Sequence, residues 1–385
     1  MIKKEWKELT GITNTLAHDL SLDEKINIED MTCNELKILY KHDNGLLYNN
    51  AFFNDNTNIG YVNPKKITKS ILTANNFGGK TSKCRVNFYY NMILKNNILD
   101  GDWDIKDIIN IPSISYKNKE VIALEKSIKE IGYKSQKELG KSKSNSEVVI
   151  AIGRNGELLH VDGIHRLRVA IKYNIERIPV IIVLRHKNWI PIKDDIIKNI
   201  HNLKRSILYQ PITHPEFSEF KSAYDHYRYD VIKKNLTLKK GTLLDIGSCY
   251  GYFCNRFEES GFNCTAVENN STFAYMINKL KNINQNTFNI IDQSLFSMKE
   301  KKFDIVLGLN VYQHFMKGKS KMKQFINYIK TLKVKEHFIQ VPEYLKIEDS
   351  DDIMSLDFIT MIIKYGNLKN MIELPSKSRK MYKLF

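Results

Sequence analysis

The chain has 385 residues, 42% of them hydrophobic and 11% aromatic, with a formal net charge of +16. That length exceeds one ordinary core, so two domains are expected, and no apolar run approaches the ~20 residues needed to span a bilayer. Residues 1–30 are polar and charged, unlike a secretory leader, so the cytoplasm is the expected location. The positive charge favours acidic partners such as phosphorylated sugars, lipids, nucleotides or nucleic acid. The joint richness in Lys, Asn and Ile would also arise in an AT-rich genome, so charge alone does not establish a nucleic-acid partner. Cys33, Cys84, Cys249, Cys254 and Cys264 form no C-x-x-C pair and no zinc spacing, and read as reduced thiols.

Taken in order, residues 1–57 form a helical N-terminal extension, with fragments at 3–17 and 32–42. Residues 58–190 form a second segment opening at Tyr61-Val62-Asn63-Pro64. Its Gly101-Asp102-Trp103-Asp104 stretch reads in two ways: a solvated turn around a packed indole, or a carboxylate cluster in which Asp102 and Asp104 hold Mg²⁺ or a substrate hydroxyl. A helix over 120–132 and a Lys/Ser/Gly-rich loop over 134–146 precede a strand at 148–152, a tight turn at 154–157 and a returning strand at 158–161.

The sequence Asp162-Gly163-Ile164-His165-Arg166 follows, leading into a helix over 167–173 and a buried strand over 178–183. Asp162-Gly163 turns the chain from strand to helix N-terminus, where open N–H groups, the helix dipole and a guanidinium make an anion site. These residues resemble the phosphate-binding turn of the ParB/sulfiredoxin superfamily, over roughly residues 58–185. The resemblance implies an α+β domain in which Asp162, Gly163, His165 and Arg166 bind a nucleotide or phosphate. Because that superfamily has a kinase member, Asp162, His165 and Arg166 are also candidates for phosphoryl transfer from ATP or another nucleotide with Mg²⁺. Ile164 stands where sulfiredoxin carries its reactive cysteine, which removes sulfinic acid reduction. No helix-turn-helix region is evident, so centromere-type DNA binding is not supported. A domain that keeps this fold only to bind a ligand is the competing expectation.

Residues 191–240 read as a helical linker and pocket lid. A helix over 194–210 is apolar at Ile196, Ile197, Ile200 and Leu203, and a second over 224–235 offers Tyr224, His226, Tyr227 and Arg228 as lid candidates, or as ordinary packing.

The last segment, 241–385, opens with LLDIGSCYGYF at 243–253. An apolar strand ends at Asp245, Gly247 allows backbone angles closed to other residues, and Gly251 precedes a helix whose first N–H groups are free. It is neither a G-x-G-x-x-G nor a P-loop run. Strands at 263–267, 287–291, 302–309 and 336–341 follow, ending in Glu268, Asp292-Gln293 and Asn310. A helix over 350–364 and an antiparallel pair at 368–374 and 379–384 close the series.

This ordered series resembles class I S-adenosylmethionine-dependent methyltransferases. The fold class is therefore α/β, a Rossmann-like seven-stranded methyltransferase sheet C-terminal to the ParB/sulfiredoxin-like domain. The resemblance implies S-adenosyl-L-methionine as cofactor, held by Asp245, Gly247, Ser248, Gly251, Glu268, Asp292, Gln293 and Asn310. After the fourth strand, Asn310-Val311-Tyr312-Gln313-His314 has neither the Pro-Pro-aromatic tetrad of DNA amino-methyltransferases nor the Pro-Cys of cytosine C5 enzymes. An oxygen of a small-molecule or glycan-like acceptor, anionic in character, is the expected target, with His314 as candidate base or as a cap or substrate-binding residue. The two domains together point to phosphorylation of the acceptor followed by its methylation. The alternative is a nucleic-acid-binding or DNA-modifying protein whose basic N-terminal domain grips phosphates.

Overall fold

Five apolar runs, each followed by a helical pattern, demand a sheet covered on both faces, and the C-terminal half has this form. The computed structural model describes residues 59–70, 103–104, 119–135, 138–139, 147–185, 188–202, 207–345 and 353–385. The expected extension at 1–57, Cys33, Cys84, Asp102 and most of the 134–146 loop lie outside the described residues. The chain divides into two units: the first takes the described residues up to Lys198 with His214–Glu219, the second Asn199–Thr213 with Phe220–Phe385. The expected linker, 191–240, is thereby split between them.

In the first unit the strands are β1 (Ile59–Val62), β2 (Lys69–Ser70), β3 (Trp103–Asp104), β4 (Val148–Ile152), β5 (Leu158–Asp162) and β6 (Ile178–Arg185). They form one mixed sheet in the order β1-β6-β4-β5-β2-β3. All five residues of β4 are buried, as its uninterrupted apolar sequence requires. β4 and β5 form the expected hairpin, and β5 feeds the helix Ile164–Lys172. That helix starts three residues earlier than the sequence pattern suggested, because Gly163 (φ 82°) itself turns the chain. A Cβ on Gly163 would lie 2.8 Å from the Glu147 carbonyl oxygen, so glycine is required by space as well as by φ.

The helix expected over 194–210 is instead Trp189–Asn202. Pro191 falls in its first turn, where the missing N–H costs nothing. The Trp189 indole is buried against His214 and Phe217 and donates to Glu216 Oε2 at 3.2 Å, which makes a tryptophan the natural start of the element.

In the second unit the strands are β7 (Thr242–Ile246), β8 (Asn263–Val267), β9 (Asn289–Ile291), β10 (Lys302–Leu309) and β11 (Lys333–Gln340), then a short pair, β12 (Tyr344–Leu345) and β13 (Ile353–Met354), and finally β14 (Met371–Leu374) and β15 (Met381–Leu384). Seven of them make one sheet in the order β14-β15-β11-β10-β7-β8-β9. Strands β7 to β11 pair in parallel, and β15 closes antiparallel against β11 with β14 outside it. Alternate residues of a strand face opposite sides. Leu244, Ile246, Val306 and Ile339 accordingly enter one apolar cluster with the helices Lys319–Thr331 and Ser355–Tyr365, while Leu243, Ile305, Leu307 and Phe338 enter another with Tyr227–Asn235 and Tyr252–Glu259. The strand order reverses between β7 and β10, the switch point where open α/β sheets bind ligands at the strands' carboxyl ends.

Candidate active site

At that switch point the turn after β7 is tied down by its own backbone. The N–H groups of Gly247 and Ser248 donate to the Val267 carbonyl at 2.9 and 3.2 Å, and buried Ser248 Oγ donates to the Asp245 carbonyl at 2.8 Å. Gly247 has φ 71°, Cys249 φ 55° and Gly251 φ 72°. Three left-handed residues in five make a tight loop that leads into the helix Tyr252–Glu259, with Gly251 as its cap.

Glu268, at the end of β8, is buried. Its Oε2 accepts the Cys249 N–H and its Oε1 the Asn270 N–H, each at 3.0 Å. Each oxygen keeps a lone pair, so the carboxylate is fixed yet still able to receive two hydroxyl protons. Asp245 is also buried, and its Oδ2 has no hydrogen-bond partner. Burial raises its pKa to about 7, with Arg228 opposing and Glu268 adding to the rise. An orphaned carboxylate oxygen of this kind is costly unless a ligand completes it. A vicinal diol would satisfy Glu268, and a cationic ligand beyond the turn would favour the ionised form of Asp245; S-adenosylmethionine offers both, so the residues present fit that cofactor.

Asn310 ends β10 in the left-handed region, φ 57°, which asparagine tolerates best after glycine. Its N–H donates to the Gln340 carbonyl at 2.8 Å. Its Nδ2 donates to Tyr224 Oη and Gln340 Oε1, both at 3.1 Å, and its Oδ1 accepts from Arg379 at 3.2 Å. The turn Tyr312–His314 follows. Tyr312 faces inward, its hydroxyl 2.6 Å from buried His337 Nε2, whereas His314 is exposed. Partial burial lowers the His314 pKa, and Lys317 and Arg379 lower it further.

A cavity of about 770 Å³ joins these parts, a size suited to a cofactor-scale ligand. Gly247, Glu268, Gln293, Asn310 and His314 line it. Asp245, Ser248 and Gly251 build the turn without forming its wall, and Asp292 is exposed outside it. Of the lid candidates, Tyr224 bonds Asn310, and His226 Nδ1 lies 2.6 Å from Tyr252 Oη. Arg228 is buried, 3.8 Å above the Tyr224 ring, and donates to Gln340. The sequence did not single out Tyr209, Phe273, Lys321 or Arg379, which also line the cavity. Arg379 sits in the run Ser376-Lys377-Ser378-Arg379-Lys380, which in sequence looks like any solvated basic turn.

In the first unit, Gly163 caps the helix that carries His165 and Arg166. Arg166 turns inward: its Nε donates to Tyr133 Oη at 2.9 Å, its Nη2 to the Lys134 carbonyl at 2.7 Å, and the same nitrogen lies 3.3 Å from Glu147 Oε2. The guanidinium also stacks 4.5 Å over the Tyr133 ring, and burial pushes the Tyr133 hydroxyl up to about 12. The backbone of Asp162 pairs with Val149, and that of Asp104 with Lys69. Among the described residues no three metal-ligating side chains gather, and no helix is long and apolar enough to cross a membrane.

Residues 244–333 match the family model of a methyltransferase domain. Together with the strand order and the cavity, this makes the C-terminal unit a class I, S-adenosylmethionine-dependent methyltransferase domain on a Rossmann-like sheet. Among solved structures the chain is similar to the PH0226 protein from Pyrococcus horikoshii OT3, at 14% identity and TM-score 0.35, covering 46% of this chain and 92% of that one. It is also similar to the bifunctional kinase-methyltransferase WbdD, at 17% identity and TM-score 0.37, covering 49% of this chain and 46% of that one, so it spans about half of WbdD. A third is magnesium protoporphyrin IX methyltransferase (ChlM) from Synechocystis PCC 6803 with bound SAM, at 12% identity and TM-score 0.32, covering 41% of this chain and 74% of that one. No curated protein matches the chain.

Proposed function

We propose that the C-terminal domain methylates an oxygen of a small-molecule or glycan-like acceptor. S-adenosylmethionine, when bound, supplies a methyl group on a cationic sulfur. Glu268, in the cavity wall, would hold the ribose hydroxyls, and Asp245, behind the turn, would favour the cofactor's cationic groups through its charge. Gly247 allows the close approach of the chain at the turn. The observation that carries this reading is that Glu268 and His314 line one cavity from opposite sides of the β7/β10 switch point. A base is thereby available beside the acceptor end, while the acidic end is committed to the cofactor. With the methyl group supplied by the bound cofactor, His314 would take the proton of the acceptor hydroxyl. Its lowered pKa keeps the imidazole neutral at physiological pH, the form a base needs. Methyl-labelled S-adenosylmethionine added to a cell extract tests this: label should pass to a small or glycan product with the wild type and not with His314→Asn. Label in nucleic acid instead would overturn it.

For the first unit we propose a ligand-docking role at the turn 162–166 in preference to phosphoryl transfer. The inward commitment of Arg166 to Tyr133, Lys134 and Glu147 supports this, because Nε and Nη2 of the guanidinium expected to steady a transferred phosphate are already engaged by the protein. The ParB/sulfiredoxin-like reading rests on the Asp162-Gly163-Ile164-His165-Arg166 turn. Nucleotide titration of the full chain, with ATP turnover followed in parallel, checks it: binding without turnover fits docking, and acceptor phosphorylation restores the kinase reading.

A further inference from the structure

We infer that the methyl acceptor carries an oxyanion group, phosphate or carboxylate, and that Arg379 is the residue that recognises it. The inference rests on the methyltransferase reading above and adds the chemistry of the substrate.

Arg379 lies between β14 and β15 and is held at two points. Its carbonyl accepts from Gln340 Nε2 at 3.1 Å, and its Nη1 donates to Asn310 Oδ1 at 3.2 Å. Gln340 and Asn310 are themselves buried and bonded to each other. The guanidinium is therefore pre-positioned in the cavity wall, and its ordering cost is met before any ligand arrives. Its one protein partner there is a neutral amide oxygen. Other cations of the same unit are matched to carboxylates: Lys377 to Asp225, Lys335 to Asp304, Lys383 to Glu336. Among the described residues no carboxylate pairs with Arg379.

The rest of the wall agrees. Lys321 reaches the same cavity without an ion pair among the described residues, and the one carboxylate lining it is Glu268, already receiving two backbone N–H groups. In the sheet, Glu268 ends β8 while Asn310 ends β10, with β7 between them. The acidic lining thus lies at the ribose end, and the cationic lining lies with His314 at the end where the methyl group is passed on. A half-buried guanidinium with four unused donors and no counter-charge suits a planar or tetrahedral oxyanion. Such a contact binds an oxygen adjacent to the reacting one, since charge on the attacking oxygen itself must remain available.

The test uses the full chain. S-adenosylhomocysteine is titrated first. Inorganic phosphate and acetate are then titrated in separate arms into the loaded protein, with the His314 imidazole followed by NMR. Phosphate or acetate should bind and move the His314 titration upward, and the stronger arm names the source. Arg379→Gln should weaken that binding about tenfold or more while S-adenosylhomocysteine affinity stays within about twofold. Arg379→Lys should recover part of it, and Lys323→Gln, exposed on the helix Lys319–Thr331 that carries Lys321 but outside the cavity, should change nothing. Unchanged anion affinity in Arg379→Gln overturns the inference, as does a comparable loss of S-adenosylhomocysteine affinity, which would assign Arg379 to the cofactor's own carboxylate. Failure of the wild type to bind S-adenosylhomocysteine would instead sink the methyltransferase reading, while phosphate titration of the unloaded protein would still read the anion site.

Discussion

The Glu268 carboxylate accepts the backbone N–H of Cys249 at 3.0 Å, across the gap between two adjacent strand ends. Cys249 holds φ 55°, so the left-handed turn aims its N–H at the carboxylate, and the carboxylate in return holds the turn. The glycine loop and the acid at the end of β8 are thus one preorganised unit.

Glu268→Ala removes the proposed diol acceptor together with the carboxylate that accepts the Cys249 and Asn270 N–H groups. S-adenosylmethionine affinity should fall by about 2–3 kcal/mol, roughly 30- to 150-fold. Isothermal titration calorimetry reads it, and an affinity unchanged from wild type would detach Glu268 from the cofactor.

Cofactor affinity should depend on pH through Asp245. In the folded chain its pKa is about 7, raised by burial first, so the carboxyl is largely protonated below that pH. A cationic ligand favours the ionised form, so binding releases a proton and affinity should climb with pH up to about 7, by at most tenfold per unit, and then level off. In the unliganded protein the sign is opposite: the raised pKa contributes stability at low pH that is lost as pH rises through about 7. Asp245→Asn should flatten both dependences, measured by calorimetry across buffers and by thermal unfolding.

His314→Asn should reduce methyl transfer about 10²- to 10⁴-fold while leaving S-adenosylmethionine affinity near wild type. A loss of affinity with the rate per bound cofactor intact would make His314 a binding residue.

Gly247→Ala places a methyl group at φ 71° and 2.8 Å from Val311 Cγ2. The strained backbone alone costs about 1–2 kcal/mol, so denaturant unfolding should show a loss of at least that size, with cofactor binding weakened alongside.

Buried Lys383 pairs with Glu336 and also donates to the Asn235 carbonyl at 2.7 Å, while Glu336 accepts from Thr237. Lys383→Met strands a buried carboxylate and should cost about 3–5 kcal/mol. Pairing it with Glu336→Gln should restore much of that loss, and equal losses in the single and double variants would count against a charge effect.

The sequence by itself determined the second unit's architecture. Its strands are buried on both faces and so appear as unbroken apolar runs: β8 and β10 fall on the expected residues, and β9, β11, β14 and β15 within a few of them. Glycines, an acid at the end of β8 and Asn310 mark strand ends because only such residues suit left-handed turns and diol contacts, and these signals are local in the chain. The 189–202 helix shifted from its expected place because a buried tryptophan and an early proline, rather than apolar spacing, set its start. What only the tertiary structure decided is which polar groups remain free. Arg166 and Arg379 look alike in sequence, each a basic residue beside a turn. Folding brings Glu147, Tyr133 and a carbonyl to the first, with a carboxylate beside it, but brings the second a neutral asparagine and an open cavity. Charge compensation depends on partners distant in the chain, and no local pattern encodes it.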